Sequence, residues 1–179
     1  MPQDLTRSGH PVLTEWHPFQ RGYLMPWVPQ TDDIATALEQ QIVPALELLR
    51  SVPAAKETFR YAPGKWSLRE VVGHISDTER IITTRALAAS RHDPSPYPSF
   101  DEDSYAAQSG HDALPLHRLV EQIVAVRKST LALISNFDHG AWRGIGFGKG
   151  HPVSARAWIF AAYSHTALHL DTIRNRYLG

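Results

Sequence analysis

Cysteine is absent from this 179-residue chain, which excludes disulfides, thiolate metal ligands and a cysteine nucleophile together. Excess charge of either sign is also absent. With 18 Lys+Arg against 18 Asp+Glu, the chain lacks the basic surface that a nucleic-acid backbone requires. Long hydrophobic runs are missing too. The longest, Ala157 to Tyr163, spans seven residues, far short of the roughly 20 that cross a bilayer, and Met1-Pro2-Gln3-Asp4 shows no charged-then-apolar leader pattern. The expectation is a cytoplasmic protein with neither nucleic acid nor membrane as a partner. At this length a single domain over 1–179 is expected, and roughly 70% of the unfolded chain's surface can be buried without staples. What the chain has in abundance is histidine, ten in all.

Residues 1–31 carry Pro2, Pro11, Pro18, Pro26 and Pro29, which prevent a long helix, while Trp16, Phe19, Tyr23 and Trp27 supply apolar groups to bury. An ordered N-terminal arm packed on the rest follows. Thr31 or Asp32 can cap a helix from about Asp33 to Ser51, along which Ile34, Leu38, Ile42, Ala45 and Leu49 recur at helical steps and which Pro44 should kink. A second helix has a well-marked start after the Pro63-Gly64 break. Ser67 and Glu70 form an S-x-x-E capping box, Trp66 can staple onto Val71, and Leu68, Val71, Ile75, Ile82 and Ala86 carry a buried stripe to about Ser90. The stretch from His92 to Pro115, with Pro94, Pro96, Pro98 and the triplet Asp101-Glu102-Asp103, reads as a long non-helical connection, the kind that serves as a lid. Pro115 suits the first turn of a third helix reaching about Phe137 through Leu119, Val120, Ile123, Thr130, Leu131 and Ile134. After a glycine-rich break over 138–152, Ser154 can cap a last helix with Trp158, Ala161, His165, Leu168 and Thr172 on one stripe. Four amphipathic helices with little strand signal predict an all-α fold, a four-helix bundle with long crossover connections.

Gly144-Ile145-Gly146-Phe147-Gly148-Lys149-Gly150 invites a phosphate-loop reading, but Arg143 stands where the first glycine is needed and Gly150 where Ser or Thr is needed. A tight hairpin is the reading left. His165-Thr166-Ala167-Leu168-His169 places two imidazoles one helical turn apart, within reach of one ion. Chance alone supplies about 0.5 such pairs in a chain this rich in histidine, and Thr166 replaces the glutamate of a zincin motif. On spacing alone, a hydrogen-bonded pair of core histidines is an equal alternative. Position adds weight, because His165 falls on the buried stripe of its helix and His74, between Val71 and Thr78, falls on the interior of another. An imidazole is costly inside a bundle unless both ring nitrogens are satisfied. Three inward histidines would leave an ion one open position. Asp77 and Glu79 are candidates to orient an imidazole, or else surface acids.

The segment from Gly64 to Arg80, which holds Trp66, Ser67, Glu70, His74 and Asp77, resembles the first signature of the DinB-like, YfiT-type metal-dependent proteins. Tyr163 to His169, followed by Ile173, Arg176 and Tyr177, resembles the second, and weaker similarity extends to 23–33 and to 100–103. The resemblance implies a four-helix bundle with an inserted long connection, and a divalent ion, nickel or zinc, on His74, His165 and His169. Family members often have Glu where Thr166 stands and a further His where Leu168 stands. Characterised relatives include transferases that use a low-molecular-weight thiol, and relatives are commonly dimers. The resemblance therefore implies a metal-dependent S-transferase acting on a small-molecule substrate, with a hydrolase as the next reading. A different class remains beside these, a metal-braced bundle without catalysis that binds a partner or dimerises. The remaining histidines, His10, His17, His92, His111, His117, His139 and His151, receive no role.

Overall fold

Residues 9–179 are described by the computed structural model; residues 1–8 of the arm, including Pro2, lie outside the described residues. The arm turns through a 3-10 segment at Leu13–Glu15 into helix α1 (Pro18–Leu24), which His17 caps by accepting the Phe19 N–H at Nδ1 (3.2 Å). Trp16 and Leu24 anchor it in the core.

Helix α2 (Ile34–Arg50) begins one residue later than the sequence suggests, because neither Thr31 nor Asp32 is its cap. The Thr31 hydroxyl accepts the Asp33 N–H and the Asp32 carboxylate accepts the His10 N–H. Thr31 is thus spent on the residue two positions on and Asp32 on the arm, and Asp33 caps instead through the Thr36 N–H (3.1 Å). Pro44 lies within α2 without ending it. Helix α3 (Leu68–Ser90) has the expected capping box: Ser67 Oγ accepts the Glu70 N–H (3.1 Å), and the Ser67 N–H donates to Glu70 Oε2 (2.8 Å). Trp66 packs against the core cluster that contains Val71.

The 92–115 connection departs from expectation. It holds strand β1 (Pro96–Tyr97), helix α4 (Glu102–Gln108) and a 3-10 turn at His111–Ala113. Its last proline before α4 is Pro98, and the acidic triplet starts a helix: Asp101 caps by accepting the Ser104 N–H (2.9 Å), with Glu102 and Asp103 in the favourable first turn. Of α4 only Ala106 is buried, so amide hydrogen exchange across 92–110 is expected to be faster than in α3. Protection there equal to that of α3 would argue against a movable cover.

In helix α5 (Leu116–Ile134), Pro115 takes the capping position rather than the first turn, and the helix stops short of Phe137. Ser135 and Asn136 side chains both donate to the Ala132 carbonyl and compete with the helical ladder. A short helix α6 (His139–Arg143), capped by Asp138, leads into strands β2 (Ile145–Gly148) and β3 (His151–Ser154). The glycine run is the expected hairpin. Its two turn residues have positive φ, 47° at Lys149 and 79° at Gly150, which is the primed turn that matches strand twist. A Cβ on Gly144 would sit 2.1 Å from the Ala89 carbonyl oxygen, so only glycine lets the hairpin seat on the end of α3. β1 pairs parallel to β2, giving a three-stranded sheet in the order β1-β2-β3.

Helix α7 (Ala155–Thr172), capped by Ser154 as expected, continues as a π-helical segment over Ile173–Leu178. It does not bury one stripe only. Every residue from Ala155 to Ala162 is buried, because α7 is covered by the arm, α2, α3 and β3. The long helices α2, α3, α5 and α7 form the four-helix bundle, and the small sheet is an addition to it. No helix among the described residues is long and apolar enough to cross a membrane.

Candidate metal centre

His74 comes from α3, and His165 and His169 come from successive turns of α7. These two helices pack along each other, so the pair on one meets the single imidazole on the other. His165 Nε2 lies 3.1 Å from His74 Nε2 and 3.1 Å from His169 Nε2. One ring nitrogen from each of the three lies within 4.8 Å of the others. An ion with bonds of about 2.0–2.1 Å needs tetrahedral nitrogens about 3.4 Å apart, so small side-chain adjustments suit this set to an ion.

The electrostatics suit it as well. Burial, then the charge of His111, lowers the His74 pKa to about 4, against an opposing effect of Asp103. Burial and then His74 lower His169 to about 3, and burial followed by His169 and His74 holds His165 well below the ordinary value. All three are neutral at pH 7, the form that ligates. A consequence follows for the metal-free protein. In the unfolded chain these histidines take up protons near pH 6.5, whereas in the fold they do so only near pH 4 and 3. Stability is therefore full above pH 6.5 and falls as pH drops toward those values, by on the order of 3 kcal/mol for His74 alone. Thermal unfolding between pH 7 and 4 should show a steeper loss in the natural chain than in a His74→Gln/His169→Gln variant. Parallel curves would reject this assignment.

The ring of His74 lies 4.6 Å from the Trp66 ring, and Thr78 Oγ1 stands 3.4 Å from its Nδ1. Neither acid expected beside it reaches it. Asp77 pairs with Arg80 (2.8 Å) and lies 3.6 Å from His111 Nε2. Glu79 is neither an imidazole partner nor a surface acid: it is 2% exposed and pairs with Arg127, itself 1% exposed. Arg127 Nε and Nη2 donate to its two oxygens (2.8 and 2.9 Å), and Thr130 Oγ1 donates to Oε1. Arg127 also donates to the Leu38 carbonyl, to Gln41 Oε1 and to Thr166 Oγ1. One guanidinium thus joins all four bundle helices, and Thr166 belongs to this network. A guanidinium and carboxylate this deep each need their partner, which explains why both are there.

Beside the triad opens a cavity of about 360 Å³. Trp66, Ile82, Phe100, Trp158 and Leu168 give it apolar walls, while His17, Gln20, Arg85, Glu102 and Lys149 add polar groups. The 92–115 connection borders it through Ser99, Phe100 and Glu102. His17 and Lys149 escape a sequence reading because each lies in a segment with no periodic signal, and Arg85 because a lone cation on a periodic helix gives no sign of the cavity it lines. The close packing of the His111 ring on Gly73, where a Cβ would lie 2.1 Å from Nδ1, is equally invisible there.

Comparison with known proteins agrees with this architecture. No curated protein matches the chain. Among solved structures, the fold is similar to that of YfiT from Bacillus subtilis, described as "a probable metal-dependent hydrolase with an unusual four-helix bundle topology". The TM-score is 0.73 at 12% identity, covering 95% of this chain and 94% of that one. The family model of the DinB superfamily matches residues 37–173. With a match over most of its length, running from α2 through the histidine pair, the chain belongs to the DinB superfamily.

Proposed function

We propose that this protein is a metal-dependent enzyme that holds one divalent ion, zinc or nickel, on His74, His165 and His169 and transfers a low-molecular-weight thiol to an electrophilic small molecule. The observation that carries the reading is the open side of the triad. All three histidines line the 360 Å³ cavity, and no fourth His, Cys, Asp or Glu joins the cluster among the described residues. Bracing sites are closed by four protein ligands, whereas three leave a position for an exchangeable group. An ion held there supplies Lewis acidity and lowers the pKa of a thiol or water that it binds. The protein side favours the thiol. Glu79 is held by Arg127, Asp77 by Arg80, and the Thr166 hydroxyl by Arg127. No carboxylate hydrogen-bonds a triad histidine among the described residues. A thiol, with an ordinary pKa of about 8.5, needs less help from a base than water. It must come from solution, since the chain has no cysteine.

Hydrolysis is the second reading, favoured by Glu102, a carboxylate in the cavity wall, and by the description of YfiT. A cobalt-substituted sample separates the two. Small thiols should perturb its visible spectrum, and turnover should require both metal and thiol. If thiols leave the spectrum unchanged while the metal-loaded protein cleaves an ester or amide without them, the transfer reading fails and hydrolysis replaces it.

A further inference from the structure

The cavity has a second polar wall, apart from the triad, built by the arm, the hairpin tip and the middle of α3. His17 and Gln20 are 8% and 7% exposed, yet His17 Nε2 and Gln20 Oε1 have no hydrogen-bond partner. Buried polar atoms left unpaired are rare and costly. Both residues line the one cavity, so a ligand that enters it can satisfy these atoms once the two side chains turn toward it. Their chemistry is specific. His17 Nδ1 accepts the Phe19 N–H, so the proton of the neutral ring sits on Nε2 and gives a donor, while Gln20 Oε1 gives an acceptor.

Two cations complete the wall. Arg85 donates to the Pro98 carbonyl (2.8 Å) and lies over the rings of Trp158 (5.1 Å) and Phe100 (6.0 Å). Lys149 sits at the hairpin tip, 5.7 Å from the Phe19 ring. Neither has a carboxylate partner among the described residues. After burial and His151, the charges of Lys149 and Arg85 also hold down the His17 pKa; the nearby Gly148 carbonyl opposes this, although it makes no hydrogen bond of proper geometry with Nε2. Glu102 is the one carboxylate among the lining residues, so the wall has a surplus of a single positive charge amid apolar surfaces. That suits a monoanion better than a dianion, whose second charge would be desolvated without a partner.

We propose that this wall binds the carboxylate of a small organic acid, with Arg85 and Lys149 supplying charge and His17 Nε2–H a hydrogen bond. Gln20 Oε1 takes an N–H or O–H near that carboxylate, and the opposite end of the molecule points to the triad. Only the role of that opposite end rests on the metal reading; the binding itself does not.

The test uses 3-phenylpropanoate, its neutral amide and inorganic phosphate as probes, with calorimetry and tryptophan fluorescence on the full chain, chelator-treated and zinc-loaded. In the chelator-treated protein the acid should bind at least about tenfold more tightly than the amide, the gain of charge-assisted hydrogen bonding. Arg85→Gln and Lys149→Asn should each weaken the acid about tenfold and leave the amide unchanged. Lys149 is exposed and asparagine accepts its left-handed backbone, so this variant reads the wall even if Arg85→Gln disturbs folding. Equal affinity for acid and amide, or acid binding unchanged in Lys149→Asn, overturns the proposal. Tighter binding of phosphate at the same residues overturns the choice of carboxylate. Acid binding without any zinc binding would reject the metal reading and leave this wall intact.

Discussion

His165→Ala is expected to lose nearly all bound metal while keeping its helical circular dichroism. The natural chain, purified without chelating resin, should carry about one divalent ion per molecule. His165 is the centre of the set, 3.1 Å from each of the other two ring nitrogens, so its removal leaves His74 and His169 without the nitrogen between them. Loss of a partner that merely orients a ligand costs roughly 10–100-fold in affinity, and loss of the ligand itself should cost more. His74→Ala should behave similarly for a different reason: it leaves two imidazoles on one helix with nothing across the bundle. The helices should survive because alanine suits their interiors and each substitution removes a group that is costly to bury. Elemental analysis decides the matter. Full occupancy in His74→Ala would place the ion elsewhere, and with it the proposed activity.

The largest effect on stability should come from Arg127→Met. Glu79 would then be a buried carboxylate without its cation, a change that costs about 3–5 kcal/mol. At this chain length that corresponds to a fall of roughly 10 °C in Tm. The Leu38 carbonyl and Gln41 Oε1 also lose their donor. Glu79→Gln combined with Arg127→Met should recover part of the loss, because no unpaired charge is left inside. Urea unfolding of the single and double variants measures both terms. A single-variant cost below about 1 kcal/mol would mean that the buried pair does not hold the four helices together.

The two predictions differ in how far they could be read from the residues alone. The triad is half local, since His165 and His169 are four residues apart and helical geometry brings them to one face whatever surrounds them. His74 joins them through the packing of α3 on α7, which its interior position and the resemblance to DinB-like proteins anticipated. Glu79 shows the opposite case. It lies nine residues past the legible capping box and three from Ile82 of the legible stripe, but its partner is 48 positions away on another helix, and no periodicity links an acid to a distant base. Asp101-Glu102-Asp103 escaped for another reason, since its cap is local but the helix that follows buries only Ala106 and so has no apolar stripe to announce it. As composition, it resembles a polar linker; as a helix start, its meaning depends on Asp101 finding the Ser104 N–H.

Where an interaction closes within a turn or two of chain and an apolar stripe or turn signal accompanies it, the sequence itself determined it: the Ser67/Glu70 box, the Ser154 cap, the Lys149-Gly150 hairpin, the buried stripes and the histidine pair. Each involves groups whose separation is set by helix rise or turn geometry. What only the tertiary structure decided lies where segments far apart in sequence meet. It drew Asp32 to His10 of the arm and left Asp33 to cap α2, and it directed Glu79 to Arg127 rather than to an imidazole. It also brought His17 from the arm, Lys149 from the hairpin and Arg85 from α3 into one wall facing the triad. A cavity is a property of packed surfaces, and the polar atoms that line it acquire their chemistry from what packing leaves unpaired.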